Sequence, residues 1–191
     1  MVEFYTLNFL GLKRALPILP APSGIKIAGF NSVGDMELLE IAGENLAKQI
    51  EKEKIDFDVI LTTEVKGIPI SQEIARLLKK DYVCLRKSPK CYMLNPVVVK
   101  SESITSGKSE YYVSELDFEK LKGKNVLFVD DVFSTGATFK NMIDFSNKFN
   151  FNIVGGAFIL KEVLKSELNK SINFEFLGKK VLCAELLPLP E

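Results

Sequence analysis

The segment VLFVDDVFSTGAT, residues 126–138, carries the residue types best suited to chemistry in this chain. Its apolar start predicts a buried strand that ends in two carboxylates, Asp130 and Asp131. These acids would repel a phosphate, but they suit a ribose diol or a magnesium ion. The small residues that follow can aim backbone N–H groups and hydroxyls at a phosphate beside a helix N-terminus: Ser134, Thr135, Gly136, Ala137 and Thr138. The segment therefore predicts a site for a phosphorylated ribose, although each half alone also fits a plain strand end and a plain helix cap.

Two other polar segments follow predicted strands. TTEVKG, residues 62–67, begins at the last residue of the apolar run FDVILT, and RKSPK, residues 86–90, comes after YVCL. Ligands of open α/β sheets bind outside the carboxyl ends of the strands, so both segments are expected near the acidic pair. The basic run also fits a solvated strand end.

Composition excludes several classes of protein. The chain has 191 residues and no histidine, which rules out Ser-His-Asp triads, Cys-His pairs and His-ligated metals. Lys plus Arg and Asp plus Glu each number 25, so no overall positive field favours nucleic acid. No apolar run approaches the ~20 residues of a membrane helix. The acidic start of the chain does not resemble a signal peptide.

The three cysteines are widely spaced and form no C-x-x-C pair, which indicates neither a disulfide framework nor a thiolate metal site. We expect Cys84 and Cys91 to be packing residues and not nucleophiles. Together with the missing signal and membrane segments, this predicts a cytoplasmic protein.

The elements that must position these residues alternate along the chain. Apolar spacing predicts helices from Asp35, from about Pro69 and from about Ala137, and apolar runs predict strands over 57–62, 82–85, 125–130 and 152–160. Alternating strands and helices indicate an α/β fold with an open, mostly parallel central sheet. Residues 1–34, rich in proline and glycine turns, predict short strands at one edge of the molecule. The polar stretch that follows the basic run predicts a functional loop with a β-hairpin.

The motif at 126–138 resembles the phosphoribosyl-pyrophosphate (PRPP) motif of the type I phosphoribosyltransferases. TTEVKG resembles the pyrophosphate loop of that family, and RKSPK resembles the start of its flexible loop, both in the expected order. The resemblance implies one domain over 1–191, with a small N-terminal and C-terminal hood that includes residues 1–34, and a flexible β-hairpin loop over 87–111. It covers most of the chain and favours the adenine and xanthine branch.

Members of that family transfer ribose 5-phosphate from PRPP to a base and release pyrophosphate, with Mg²⁺. The resemblance implies that Asp130 and Asp131 hold the ribose hydroxyls and that Ser134–Thr138 hold the 5-phosphate. Mg²⁺ would bind mainly through PRPP, with the two acids as further ligands. The resemblance also assigns pyrophosphate binding to two segments, namely Glu64, Val65, Lys66 and Gly67, and then Arg86, Lys87 and Lys90. Asp130, Asp131, Arg86 and Lys87 are the predicted catalytic residues, and the Glu64–Val65 peptide matches a position that is often cis in the family.

The preferred base is predicted from positions at which this sequence departs from the pattern of the adenine-specific enzymes. Thr105 stands where adenine enzymes carry an acid, with Glu102 out of register, and Lys161 stands where the xanthine branch has lysine. An ammonium can donate to a purine oxygen but gains nothing from an amino group. We therefore expect a 6-oxopurine, xanthine above all, with adenine second. Phe30 is the candidate for stacking on the base, although it also fits the core, and Lys161 also fits a surface lysine.

Two other functions remain open. A PRPP-sensing purine regulator would share the motif without the chemistry, but the 34 residues before the first helix are too few and too strand-like for a winged helix. A pyrimidine or orotate phosphoribosyltransferase would differ in its base pocket. The expected partners are PRPP, a purine base and a second copy of the chain, with no nucleic acid and no membrane.

Overall fold

The computed structural model describes residues 2–21, 24–103, 107–169 and 171–190, and at 100–103 and 107–109 it describes the backbone alone. The elements are β1 (Phe4–Phe9), β2 (Leu12–Pro20), β3 (Lys26–Ala28), α1 (Met36–Lys52), β4 (Val59–Thr63), α2 (Gly67–Leu78), β5 (Asp81–Leu85), β6 (Val97–Ser103), β7 (Gly107–Val113), α3 (Glu115–Glu119), β8 (Asn125–Phe133), α4 (Ala137–Lys148), β9 (Asn152–Val163), a 3₁₀ turn (Lys165–Glu167), β10 (Phe174–Phe176) and β11 (Lys179–Pro188). The predicted α/β class and its helices are confirmed.

The central sheet has six strands in the order β10-β11-β9-β8-β4-β5. Its strands are parallel apart from β10, which runs antiparallel to β11 at one edge. Because β4 and β8 are parallel neighbours, the polar segments that follow them reach the same edge of the sheet. This arrangement confirms the predicted open, mostly parallel sheet.

Two apolar cores cover the faces of this sheet. One contains Leu46 of α1, Ile74 of α2 and Leu127 of β8, all at most 1% exposed. The other contains Phe128 of β8 and Phe139 of α4, whose ring centroids lie 5.7 Å apart. Each such buried side chain stabilises the fold by about 1.5–3 kcal/mol. The two cores make β8 the rigid centre from which the acidic pair projects.

The N-terminal residues form a separate antiparallel sheet, β1-β2-β3, as the turn pattern predicted. Arg14 of β2 joins this sheet to α1, because its Nε lies 2.6 Å from Oδ2 of Asp35. Asp35 also caps α1 by accepting a hydrogen bond from the Leu38 N–H at 3.2 Å. The Arg14 guanidinium holds the pKa of Asp35 below its ordinary value. The N-terminal sheet is therefore fastened to the first core.

The structure revises two expectations drawn from sequence and bears out a third. Strand β8 continues to Phe133, so the acidic pair lies within the strand and not after it. The reason is that β9 runs alongside and pairs Phe133 with Lys161. The C-terminal strands β10 and β11 belong to the central sheet and not to the N-terminal one. In the loop expected over 87–111, β6 and β7 form the predicted hairpin, and residues 104–106 lie outside the described residues.

None of the helices described here is long and apolar enough to cross a membrane.

Candidate active site

The loop between β4 and α2 reaches the acidic pair at the carboxyl edge of the sheet. Its Glu64–Val65 peptide bond is cis, as the resemblance led us to expect. Lys66 is the N-cap of α2, and no side chain caps this helix end. The N-terminus of α2 therefore presents backbone N–H groups toward the site.

Gly67 allows this loop to approach β8 closely. A Cβ atom at this position would lie 2.8 Å from Oδ1 of Asp130 and 3.3 Å from the Val129 carbonyl oxygen, and it would also collide with Oγ1 of Thr62. The Thr62 side chain is fully buried and its hydroxyl has no hydrogen-bond partner. Glycine is therefore required where the two predicted loops meet.

The two carboxylates of the pair have different environments. Asp130 lies against the backbone, and its Oδ1 accepts a hydrogen bond from the Asp131 N–H at 2.9 Å. Asp131 forms an ion pair with Lys66, whose Nζ also donates to the Phe30 carbonyl at 3.3 Å. In this structure the Lys66 ammonium, which we expected at the pyrophosphate, is held by Asp131.

Burial raises the pKa of Asp130 from 3.8 to about 7, and the neighbouring Asp131 carboxylate adds to the rise. An ionised carboxylate is more stable in water than in the protein interior, so the folded protein disfavours the charged form of Asp130. Such a group is a functional-site candidate, because ligand hydroxyls could supply the missing hydrogen bonds.

The segment after β8 has the form predicted for a phosphate site. Gly136 adopts a φ of 79° and is the N-cap of α4, where no side-chain cap occurs and the first turn has no acid. Ser134 and Thr135 are exposed, and Thr135 Oγ1 accepts a long hydrogen bond of 3.4 Å from the Ala137 N–H. Thr138 lies in the first helical turn. The N-terminus of α4 is thus open to an anion.

Glu64 connects the basic segment to the same loop. Its Oε1 accepts a hydrogen bond of 2.6 Å from the Lys87 N–H, and its Oε2 lies 3.5 Å from Arg86 Nη1. The Arg86 backbone pairs with Tyr112 of β7, so the hairpin holds this segment from its other side. Lys90 instead donates to Ser88 at 2.8 Å. The structure therefore brings Glu64, Arg86 and Lys87 together and leaves Lys90 apart from them.

The two residues predicted at the base occupy different settings. Lys161 pairs with Phe133 at the carboxyl end of the sheet, and its Nζ lies 3.8 Å from the ring centroid of Phe174. Phe30 is only 7% exposed and packs in the first core, so base stacking by Phe30 stays a prediction. Thr105 lies outside the described residues, and for Glu102 only the backbone is described.

Several residues near the site escaped the sequence reasoning. The sequence predicted no role for Thr62 of TTEVKG. It also predicted no strand at 174–176, although the alternation of FEF is a readable strand signal. Tyr111 was counted as loop, yet it packs in the second core, where burial and the Asp130 charge raise the pKa of its hydroxyl. These positions depend on contacts between distant parts of the chain.

Cys84 and Cys183 are poorly suited to act as nucleophiles. Burial raises the pKa of Cys84 to about 11 and that of Cys183 to about 12, which disfavours the reactive thiolate. Cys91 is exposed, so its expected packing role was wrong. The polar segment around Cys91 has too few apolar side chains to bury the cysteine.

The fold and site together define an α/β protein in which two helix N-termini without a side-chain cap accompany an acidic pair at the carboxyl end of a mostly parallel sheet. The family model for the phosphoribosyl transferase domain matches residues 30–177, so the chain belongs to this family. The match includes the three polar segments and the acidic pair.

Individual relatives fall into two functional classes. The chain is 29% identical over 136 residues to the purine biosynthesis transcriptional activator PurR of Lactococcus lactis, which covers 71% of this chain and 49% of that protein. It is 28% identical over 146 residues to the adenine phosphoribosyltransferase of Brachyspira hyodysenteriae, covering 72% and 82%. The adenine phosphoribosyltransferase structure from Thermoanaerobacter pseudethanolicus superimposes with a TM-score of 0.66 at 20% identity, covering 89% and 95% of the two chains. The chain thus spans about half the length of the regulator it matches.

Proposed function

We propose that the protein is a purine phosphoribosyltransferase that transfers ribose 5-phosphate from PRPP to a ring nitrogen of a purine. The observation that carries this proposal is the acidic pair within β8, followed directly by the open N-terminus of α4. A ribose diol and a 5-phosphate need these two environments side by side. We also propose that residues 1–191 act as one domain in this reaction.

In this reaction the base nitrogen bonds to C1 of the ribose, and the bond from C1 to pyrophosphate breaks with its electron pair leaving on pyrophosphate. The purine ring gives up one N–H proton to water as the new bond forms. Asp130 and Asp131 orient the ribose hydroxyls, and the 134–138 turn holds the 5-phosphate. The loop at 64–67 offers N–H groups to the leaving pyrophosphate, and Arg86 and Lys87 add positive charge. Positioning and electrostatic stabilisation of the leaving group supply most of the rate enhancement.

The residues of the site suit a magnesium ion that arrives with the substrate. Among the described residues, no three acidic or cysteine side chains are grouped to hold a metal. Mg²⁺ often binds through substrate phosphates and one or two carboxylates, and Asp130 and Asp131 are the carboxylates available here. When bound, the ion would neutralise charge on the departing pyrophosphate.

A 6-oxopurine, xanthine above all, is the proposed base, and adenine is the second candidate. Lys161 supports this choice because it pairs with Phe133 at the carboxyl end of the sheet, where the base would enter. An ammonium can donate a hydrogen bond to an oxygen at the purine edge, but it gains nothing from the exocyclic amino group of adenine. Phe30 remains the proposed stacking residue.

A PRPP-sensing regulator is the second candidate function. Similarity to a transcriptional activator over 71% of the chain favours it, and the regulator would use the same PRPP site without transfer. A pyrimidine or orotate enzyme would share the PRPP site and differ at Lys161.

For the enzyme we propose a homodimer in the cytoplasm, where the free cysteines would stay reduced.

Calorimetric titration with PRPP and Mg²⁺ tests the shared site. The double variant Asp130→Asn/Asp131→Asn should fold, as circular dichroism would show, but should lose PRPP binding and all turnover. Asp144→Asn, which changes a half-exposed acid on α4 paired with Lys140, is the control that should bind PRPP normally. Unchanged PRPP affinity in the double variant would refute the assignment of the site.

A further inference from the structure

We propose that Phe174 is a positioning residue that holds the Lys161 ammonium at the base end of the site and thereby sets the preference for 6-oxopurines. This inference rests on the proposed function. The Lys161 Nζ lies 3.8 Å from the Phe174 ring centroid, within the range of a cation–π contact. Phe174 lies in β10, a strand to which the sequence reasoning gave no role.

The geometry of β10 explains how this ring reaches Lys161. Phe174 and Phe176 alternate with the exposed Glu175, so both rings lie on one face of the strand. Both pack edge-on against Phe133, at centroid distances of 4.9 and 5.3 Å. Phe133 follows the acidic pair by two residues, so β10 supports the site from the edge of the sheet.

The contact restrains Lys161 without neutralising it. A free lysine side chain samples many rotamers, and holding it in one costs conformational entropy. A carboxylate partner would restrain the ammonium but would also pair with its charge. The π face of Phe174 attracts the ammonium while leaving N–H groups to donate to a purine oxygen. A buried thiol, Cys183, lies near enough for the Lys161 charge to lower its pKa, although burial raises that pKa overall.

Phe176 provides a matched control on the same strand. Its ring packs against Phe133 and Phe139, and it lies against the turn at Gly136, where an added Cβ would come within 2.6 Å of the ring. Both phenylalanines are half-buried, and only Phe174 carries the Lys161 contact among the described aromatic residues. Phe176→Leu therefore reports the general cost of removing a ring from β10.

The functional test compares kcat/KM for xanthine and for adenine in the full chain. We expect Phe174→Leu to lower the xanthine-to-adenine ratio by about tenfold, with an unchanged KM for PRPP. Phe174→Tyr, which keeps the ring face, should retain the ratio within about twofold. Phe176→Leu should also retain the ratio, although loosening of the Gly136 turn should raise the KM for PRPP. An unchanged ratio in Phe174→Leu, or an equal loss in both leucine variants, would overturn the inference.

A second measurement does not depend on turnover. The protons on Cε of Lys161, assigned by comparison with Lys161→Arg, should show an upfield ring-current shift in the NMR spectrum. Phe174→Leu should abolish this shift and Phe176→Leu should preserve it. A shift that survives in Phe174→Leu would overturn the proposed contact. Absence of nucleotide formation by the wild-type protein would instead count against the proposed function.

Discussion

Replacing Asp130 by asparagine should make the free protein more stable while weakening PRPP binding. Burial raises the pKa of Asp130 from 3.8 to about 7, a difference of about three pH units. At about 1.4 kcal/mol per unit, the ionised form costs the fold about 4 kcal/mol at most. Local relaxation and water reduce this cost, so we expect Asp130→Asn to gain about 1–3 kcal/mol at pH 8.

The sign of the pH dependence follows from proton binding. Between pH 4 and pH 7 the folded state retains a proton on Asp130 that the unfolded state has lost. The wild-type contribution therefore falls as pH rises through this window and is constant above it. Asparagine does not titrate, so the stability advantage of the variant should grow from pH 4 to pH 7 and then level off.

Urea unfolding at pH 4, 6 and 8 measures this difference, and calorimetry with PRPP should show at least a tenfold loss of affinity. Asp131→Asn is the matched comparison, because it removes the ion pair with the half-exposed Lys66 and should lower stability by about 0–1 kcal/mol. A stability difference between Asp130→Asn and wild type that stays constant from pH 4 to pH 8 would refute the reasoning.

Three further predictions test other parts of the site. Gly67→Ala should lower the free energy of unfolding in urea by about 1–3 kcal/mol and should also lower PRPP affinity, because its methyl group would lie 2.8 Å from Asp130 Oδ1. Normal PRPP affinity in this variant would argue against close contact of the two loops. Lys161→Glu should lower kcat/KM at least about tenfold for xanthine or guanine and much less for adenine, because an unmatched buried polar group costs about 1–3 kcal/mol. Equal losses for every base, or a parent that prefers adenine tenfold, would show that the choice of base is wrong. PRPP with Mg²⁺ should slow proteolytic cleavage within 87–111, since closure must exclude water from the reacting centre, and equal cleavage in both states would contradict a closing loop.

The parts of the fold that the sequence predicted are those with strong local patterns. The helical spacing of Leu38, Leu39, Ala42, Leu46 and Ile50 predicted α1, and all five side chains are buried. The continuous apolar runs of β4 and β8 likewise predicted buried parallel strands. Such patterns can be read locally because one face, or both, must leave water.

The C-terminal strands were missed for a different reason. The run VLCA at 181–184 was a readable strand signal, but its place beside β9 depends on pairing with a distant strand. Strand β10 has only three residues and pairs with β11 alone. The alternation of FEF at 174–176 is a strand signal, but three residues are too few to distinguish a strand from a loop.

In the candidate site, too, local patterns could be predicted from the sequence and contacts between distant elements could not. The segments at 64–67 and 130–138 could be located from motifs, because turns and helix starts have local chemistry. The Lys66–Asp131 ion pair and the Lys161–Phe174 contact could not, because each joins residues from separate elements. Their geometry is set by how α2, β8, β9 and β10 pack.

Direct detection of the product tests the central claim most simply. The 191-residue chain, PRPP and Mg²⁺ are incubated separately with xanthine, hypoxanthine, guanine and adenine, and nucleotide and pyrophosphate are quantified by mass spectrometry and a coupled assay. We predict a nucleoside 5′-monophosphate with an equal amount of pyrophosphate, formed fastest from a 6-oxopurine. Tight PRPP binding without nucleotide from any of the four bases would contradict the proposed transfer reaction and favour a PRPP sensor.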